Sequence, residues 1–257
     1  GSRDADATAG SLLVTDAARP SQVPPTGVWS WPMDAYLALD AGTTSSRALV
    51  LAPDGQLLGS AQHEFEQHYP KSGHVEHDAD EIWRTQWRAA EEAVAAAGHP
   101  TIAGIGIANQ RETVVLFERA SGRPLHRAIV WQDRRTASAL AKLANGDKVQ
   151  RVRELTGLPL DPYFSAGKIA WLLDAVPGAR EAAERGELCA GTIDTWLLYR
   201  LTNGQVVATE PSNASRTSLF DIEVGDWSDE LLELFDVPRA VLPTIEDSMG
   251  TFGTLAV

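Results

Sequence analysis

The stretch Tyr36–Ala52, YLALDAGTTSSRALVLA, constrains the fold of this chain more than any other. Leu37, Ala38 and Leu39 form a short apolar run that reads as a strand buried on both faces. Asp40 ends the run, and Gly42 permits a tight turn where a side chain would clash. Thr43, Thr44, Ser45, Ser46 and Arg47 follow, and Ala48–Ala52 resumes strand character. Two strands joined by a loop of glycine and hydroxyl residues can offer N–H and O–H groups to phosphate oxygens. Asp40, at the strand end, is then placed to face a phosphate-bound Mg²⁺ or its waters. A bare D-x-G-T fits an ordinary polar hairpin equally well, so both readings stand at this point.

Length and charge exclude several classes. The chain has 257 residues, 44% hydrophobic and 22% charged, which suits one large domain or two small ones. A net charge of −13 argues against a nucleic-acid partner. The single cysteine, Cys189, excludes an intrachain disulfide and fits a reducing, cytoplasmic compartment. No apolar run approaches the ~18 residues needed to span a bilayer. Residues 1–33 are rich in Ala, Thr, Ser, Asp and Pro and read as a disordered extension. Gly1-Ser2 resembles a tag cleavage scar, Trp29 and Trp31 are candidates to dock on the surface, and Met33 is a candidate original start.

Past the second strand, Pro53-Asp54-Gly55 signals a turn and Gln56–Phe65 a third strand, giving an antiparallel meander. The polar loop Glu66–Asp78 holds His68, His74 and His77. Their spacing matches no helical ligand motif, so the segment reads as a solvated loop rather than a metal site. Asp78 and Glu81 form a capping-box-like pair opening a helix to Ala97, closed by Gly98. Trp83, Trp87, Ala90 and Val94 form its core-facing stripe. Ile102–Ala108 is then a buried strand, and the crossover before it implies a parallel addition to the sheet.

That strand ends in Asn109-Gln110-Arg111-Glu112-Thr113, at the carboxyl end, where open α/β sheets bind ligands. Arg111 donates a fork of N–H groups and Glu112 accepts from hydroxyls, which suits a polyhydroxy ligand; a surface ion pair is the alternative. Val114–Phe117 and Ala128–Trp131 read as a hairpin, with Trp131 either an apolar wall or a buried structural ring. Asp133 is expected to cap the helix carrying Arg134 and Arg135. Residues 137–185 read as helix broken at Gly146, Gly157-Leu158-Pro159 and Pro177-Gly178. Gly167-Lys168 is not a Walker A loop, because Pro162 and Ile169 stand where Gly and Ser or Thr are needed. Cys189–Thr192 and Ile193–Leu201 read as strand and helix, and Asp229–Phe235 as a last amphipathic helix.

DAGTTSSR resembles the first phosphate loop of the FGGY carbohydrate kinases, with Ala41 where that loop usually carries Gln. FEQHYPKSGHVEHD, NQRET, IVWQDRRT, DPYFS, TIDTW and PSNASRTSLFDI resemble further blocks in family order, from Tyr36 to Gly253. YFSAGKIAWLLDA nearly fits a family signature, with Ala175 at a usually polar position. NQRET is similar to the glycerol-kinase-like branch in particular. The resemblance implies an α/β, ribonuclease H-like (actin-like ATPase) domain over 34–257, with a mixed five-stranded sheet flanked by helices. It implies phosphorylation of glycerol or a similar polyol by ATP with Mg²⁺. Thr43, Thr44, Ser45 and Arg47 would contact phosphates, Asp40 the metal, and Arg111, Glu112, Trp131 and Tyr163 the polyol. Family members carry the catalytic Asp, in a GDQ motif, and the adenine pocket in a second domain. Nothing after Pro243 contains them, so the base is expected beyond Val257 and the chain alone is expected to be inactive. Apolar surface normally covered by that domain predicts self-association, as a homo-oligomer. Two alternatives remain: another polyol or sugar as substrate, or a catalytically dead polyol- or partner-binding domain.

Overall fold

A computed structural model describes residues 34–257; the expectations for residues 1–33, Trp29 and Trp31 among them, lie outside it. Strands β1 (Ala35–Ala41), β2 (Ser45–Leu51) and β3 (Leu57–Glu64) form the expected meander. The two-residue strand β4 (Glu76–His77) leads into helix α1 (Ala79–Ala96), and β5 (Ile102–Asn109) then pairs parallel with β1. The resulting mixed sheet runs β3-β2-β1-β5. Alternate residues Leu37, Leu39, Ala48 and Val50 face α1, which presents Trp83, Ala90 and Val94 to the core. Asp78 caps α1 by accepting from the Glu81 N–H at 3.0 Å. Gly59 is required where α1 crosses β3: a Cβ there would lie 2.4 Å from the Ala93 carbonyl oxygen.

The rest of the chain extends that core through α6 and builds a second hydrophobic cluster beside it. It comprises β6 (Val115–Glu118), β7 (Ala128–Ile129), α2 (Ala137–Leu143), α3 (Lys148–Thr156), α4 (Ser165–Ala175) and α5 (Ala179–Glu184). Next come β8 (Leu188–Gly191), α6 (Ile193–Leu201), β9 (Ala208–Thr209), α7 (Pro211–Ala214), the pair β10 (Phe220–Asp221) and β11 (Asp226–Trp227), and α8 (Asp229–Phe235). A single 3₁₀ turn, Arg239–Val241, precedes β12 (Thr244–Ile245). The helix breaks fall at the expected glycines and prolines. Among the described residues, no helix is long and apolar enough to cross a membrane.

Four expectations are corrected. The main sheet has four strands rather than five, because β8 gives its hydrogen bonds to β6 in a separate antiparallel pair. The hairpin is partial: Val114 bridges Ile129, but β7 pairs chiefly with β4. Asp133 caps no helix. It is buried, accepting from the Val75 N–H at 2.6 Å and pairing with Arg135 at 2.8 Å. Arg135 also meets Glu76 at 2.7 Å and lies over the Trp171 ring, so the segment after Trp131 is held by a buried ion-pair cluster. Finally, His77 and Glu76 are buried rather than solvated. Pairing of β4 with β7 draws both into the interior.

Candidate functional site

The carboxyl ends of β1 and β5 lie side by side, with Asp40 opposite Ala108 and Ala41 opposite Asn109. The turn Gly42–Thr44 leaves the first strand there, and the Gly42 N–H donates to the Ser45 carbonyl at 2.9 Å. A Cβ on Gly42 would lie 3.1 Å from that same oxygen, which explains the glycine. Asp40 and Arg47 face each other across β1 and β2 and pair at 2.6 Å. Both are more than a third exposed, so the pair orients two side chains and adds little stability. Thr44 is exposed, and the Ser45 hydroxyl accepts from the Gln62 amide at 2.9 Å.

The hydroxyl of Thr43 accepts from the Trp131 indole N–H at 3.0 Å. Sequence reasoning assigned Thr43 to phosphate alone; the structure makes it the contact between the loop and the Trp131 wall. The indole occupies an acceptor position, so the Thr43 O–H remains available as a donor to an anion. Trp131 in turn packs against Tyr163, with ring centroids 5.4 Å apart.

Glu112 is linked to that aromatic pair through Arg216. Its backbone is left-handed, at φ 65°, and its side chain is almost wholly buried. The Ser165 hydroxyl donates to its carbonyl at 3.1 Å, and Arg216 Nε donates to its carboxylate at 2.6 Å. Arg216 also lies 5.9 Å from the Tyr163 ring centroid and 5.0 Å from that of Phe164. Arg111 is exposed and forms no ion pair among the described residues. The arrangement therefore offers a free guanidinium, an oriented carboxylate and an aromatic wall beside a hydroxyl-rich turn.

Lys168 supports the Tyr163 segment from beneath. Lys168 is buried, and its Nζ donates to the carbonyls of Pro162, Tyr163 and Phe164 at 2.8, 2.6 and 3.0 Å. Burial pulls its pKa down to about 7, against the opposing pull of Asp133, Glu112 and Asp161. Three carbonyl acceptors match the three N–H groups of an ammonium, so the contacts favour the charged form. Asp194 is pushed up to about 6 by burial, against hydrogen bonds from the Thr192 and Thr209 hydroxyls. Its partners Thr192 and Thr209 line a small cavity together with Trp227. Nearer the turn, Asn213 accepts from the Asn109 amide at 2.9 Å and ties α7 to the end of β5.

Sequence reasoning missed Arg216 and Lys168 as supports. Arg216 stands 104 positions from Glu112, so no local pattern links them. Lys168 was weighed only as part of a nucleotide loop that is absent. Asp40 is the carboxylate at the end of β1, and among the described residues no group of three or more ligand side chains is gathered for a metal ion. A single hard oxygen donor beside a hydroxyl-rich turn is compatible with Mg²⁺, which takes few protein ligands and completes its shell with phosphates and water.

The description "FGGY family of carbohydrate kinases, N-terminal domain" matches residues 35–257. The chain belongs to the FGGY family of carbohydrate kinases. It is 56% identical over 219 residues to a glycerol kinase of Bordetella parapertussis, covering 84% of this chain and 43% of that protein. It is 57% identical over 223 residues to a glycerol kinase of Methylibium petroleiphilum, covering 86% and 45%. In structure it is similar to Plasmodium falciparum glycerol kinase with ADP, at TM-score 0.83 and 31% identity over 88% of this chain and 45% of that one. A gluconate kinase of Lactobacillus acidophilus, at 20% identity and TM-score 0.76, shares the fold. This FGGY chain spans less than half the length of the curated relatives it matches.

Proposed function

We propose that this chain is the N-terminal domain, over 34–257, of an ATP-dependent glycerol kinase that forms glycerol 3-phosphate. The observation that carries the reading is the unbroken series of contacts from the hydroxyl-rich turn through Trp131, Tyr163 and Arg216 to Glu112. High identity to glycerol kinases over nearly all of the described residues supports it.

In this reading Thr43, Thr44 and Ser45 present hydroxyls and N–H groups to phosphate oxygens, and Arg47 neutralises their charge. Asp40 would hold Mg²⁺, whose chemistry is to neutralise charge developing on the transferred phosphoryl group. Arg111 and Glu112 would bind hydroxyls of the polyol. Glu112 suits an acceptor role because Arg216 already fixes one of its oxygens, leaving directed lone pairs on the other. Trp131 and Tyr163 would cover the carbon skeleton and exclude water. A carboxylate outside this chain would accept the substrate proton.

The test is MgATP-dependent phosphorylation of glycerol by the full-length polypeptide that carries this domain. Arg111→Ala should weaken glycerol by about 1.5–3 kcal/mol, the scale of a charged hydrogen bond. An unchanged KM for glycerol in that variant would defeat the assignment, and preferential phosphorylation of a sugar would change the substrate.

A further inference from the structure

Six residues beneath the turn form a closed ring of hydrogen bonds. The Gln67 amide donates to the Thr43 carbonyl at 3.1 Å, and its oxygen meets His77 Nε2 at 2.7 Å. On the other side of the imidazole, the Gln110 amide nitrogen lies 3.3 Å from His77 Nδ1 and 3.0 Å from the Gly42 carbonyl. The Thr113 hydroxyl donates to the Gln110 oxygen at 2.9 Å and accepts from the Trp131 backbone N–H at 3.2 Å. The Trp131 indole closes the ring on the Thr43 hydroxyl at 3.0 Å.

The donor directions are set by the backbone. The carbonyls of Thr43 and Gly42 accept only, so each glutamine must turn its NH₂ toward its own carbonyl. Gln67 then presents oxygen to Nε2, and Gln110 presents N–H to Nδ1. His77 must therefore carry its proton on Nε2 and accept at Nδ1. A second proton on Nδ1 would oppose the Gln110 N–H and open the ring. The imidazole is wholly buried, and burial with the nearby His68 lowers its pKa to about 4, so it is neutral at physiological pH.

We propose that His77 is a positioning residue: its neutral imidazole, as the Nε2–H tautomer, locks the phosphate-facing turn and the Trp131 wall into one rigid unit. This deepens the kinase reading above and rests on it. His77 touches neither proposed ligand, so it acts through Gln67, Gln110 and Thr113. Phosphoryl transfer depends chiefly on holding acceptor and phosphate in register, and a link between the two contact surfaces supplies that.

The test uses ¹⁵N-labelled 257-residue chain and the variants His77→Asn and Gln67→Leu. The imidazole ¹⁵N shifts of the unsubstituted chain should show one protonated Nε2 and one bare Nδ1 from pH 6 upward. In both variants the Trp131 indole N–H should shift and exchange roughly five- to tenfold faster, as expected for loss of about one hydrogen bond. The Trp196 indole, which donates to Ala79 in the core, should stay unmoved. Gln67 is half-buried, so Gln67→Leu decides alone if His77→Asn fails to fold. In the full-length kinase, Gln67→Leu should raise KM for both MgATP and glycerol. An Nδ1–H tautomer, a still Trp131 resonance, or lost stability with both KM values intact would each overturn the proposal. Separately, MgATP that leaves the Thr43–Arg47 amides of the unsubstituted chain unmoved would sink the phosphate reading while leaving the ring standing.

Discussion

Removing Arg216 should expose how much of the candidate site depends on one partly buried ion pair. The Glu112 carboxylate is 3% exposed, and Arg216, at 2.6 Å, is its charged partner. At an effective dielectric of 20 and about 4 Å between charge centres, the attraction is about 4 kcal/mol. Breaking a buried pair from one side costs about 3–5 kcal/mol, because the other charge is left uncompensated. Arg216 also covers the Tyr163 and Phe164 rings, so truncation removes packing as well. Arg216→Ala should therefore destabilise the chain by about 3 kcal/mol, which lowers the midpoint of a fold this size by about 6–12 °C. Glu112→Gln in the same background removes the stranded charge and should recover part of the loss. Urea unfolding of the four-member cycle should return a coupling of about 2 kcal/mol or more. A coupling below about 0.5 kcal/mol, the scatter of independent sites, would refute the claim that Arg216 holds Glu112.

Three further perturbations follow from buried groups. His77 has a folded pKa of about 4 against 6.5 unfolded, so its contribution is fully present above pH 6.5 and fades as pH falls toward 4, by about 3 kcal/mol. His77→Gln should flatten that part of the urea-stability profile, and an unchanged slope would contradict the burial argument. Asp194, raised to about 6 from 3.8, does the reverse: stability falls by about 3 kcal/mol as pH rises from 4 to 6. Asp194→Asn should gain relative to the unsubstituted chain across that window, and a parallel profile would place the titration elsewhere. Lys168→Met leaves three carbonyls without donors but relieves the buried ammonium, for a net loss of about 2–4 kcal/mol by chemical denaturation. A neutral result would mean that water or a backbone shift replaces it.

The elements were legible where local pattern decides them. The meander, α1 with its Asp78 cap, and the breaks between α2, α3, α4 and α5 follow from apolar runs, turn signals, capping chemistry and glycine placement within a few residues, although β1 alternates where a strand buried on both faces was expected. What local pattern could not give was pairing over distance. The two-residue strand β4 is too short to show alternation, so His77 read as part of a solvated loop although β7 carries it inside. Asp133 has the composition of a cap, and only the fold reveals Arg135 and Val75 taking both of its oxygens. Arg111 and Glu112 were proposed from their chemistry and their place at a strand's carboxyl end as well as from motif resemblance, Trp131 and Tyr163 from the resemblance. Their support by Arg216, Lys168 and the ring through His77 is tertiary, and it is visible only once the segments are brought together.

Glu112, Trp131 and Tyr163 are proposed to form one face of a glycerol site. The most direct test is a glycerol titration of the ¹⁵N-labelled chain, followed at the Trp131 indole and the Arg111, Glu112 and Tyr163 amides. A Kd of about 10 mM, or about −2.7 kcal/mol, is expected. Those four resonances should move together along one saturable curve, and Trp131→Phe with Arg111→Ala should abolish it. Shifts that stay linear in glycerol, or that fall elsewhere on the chain, would contradict the account.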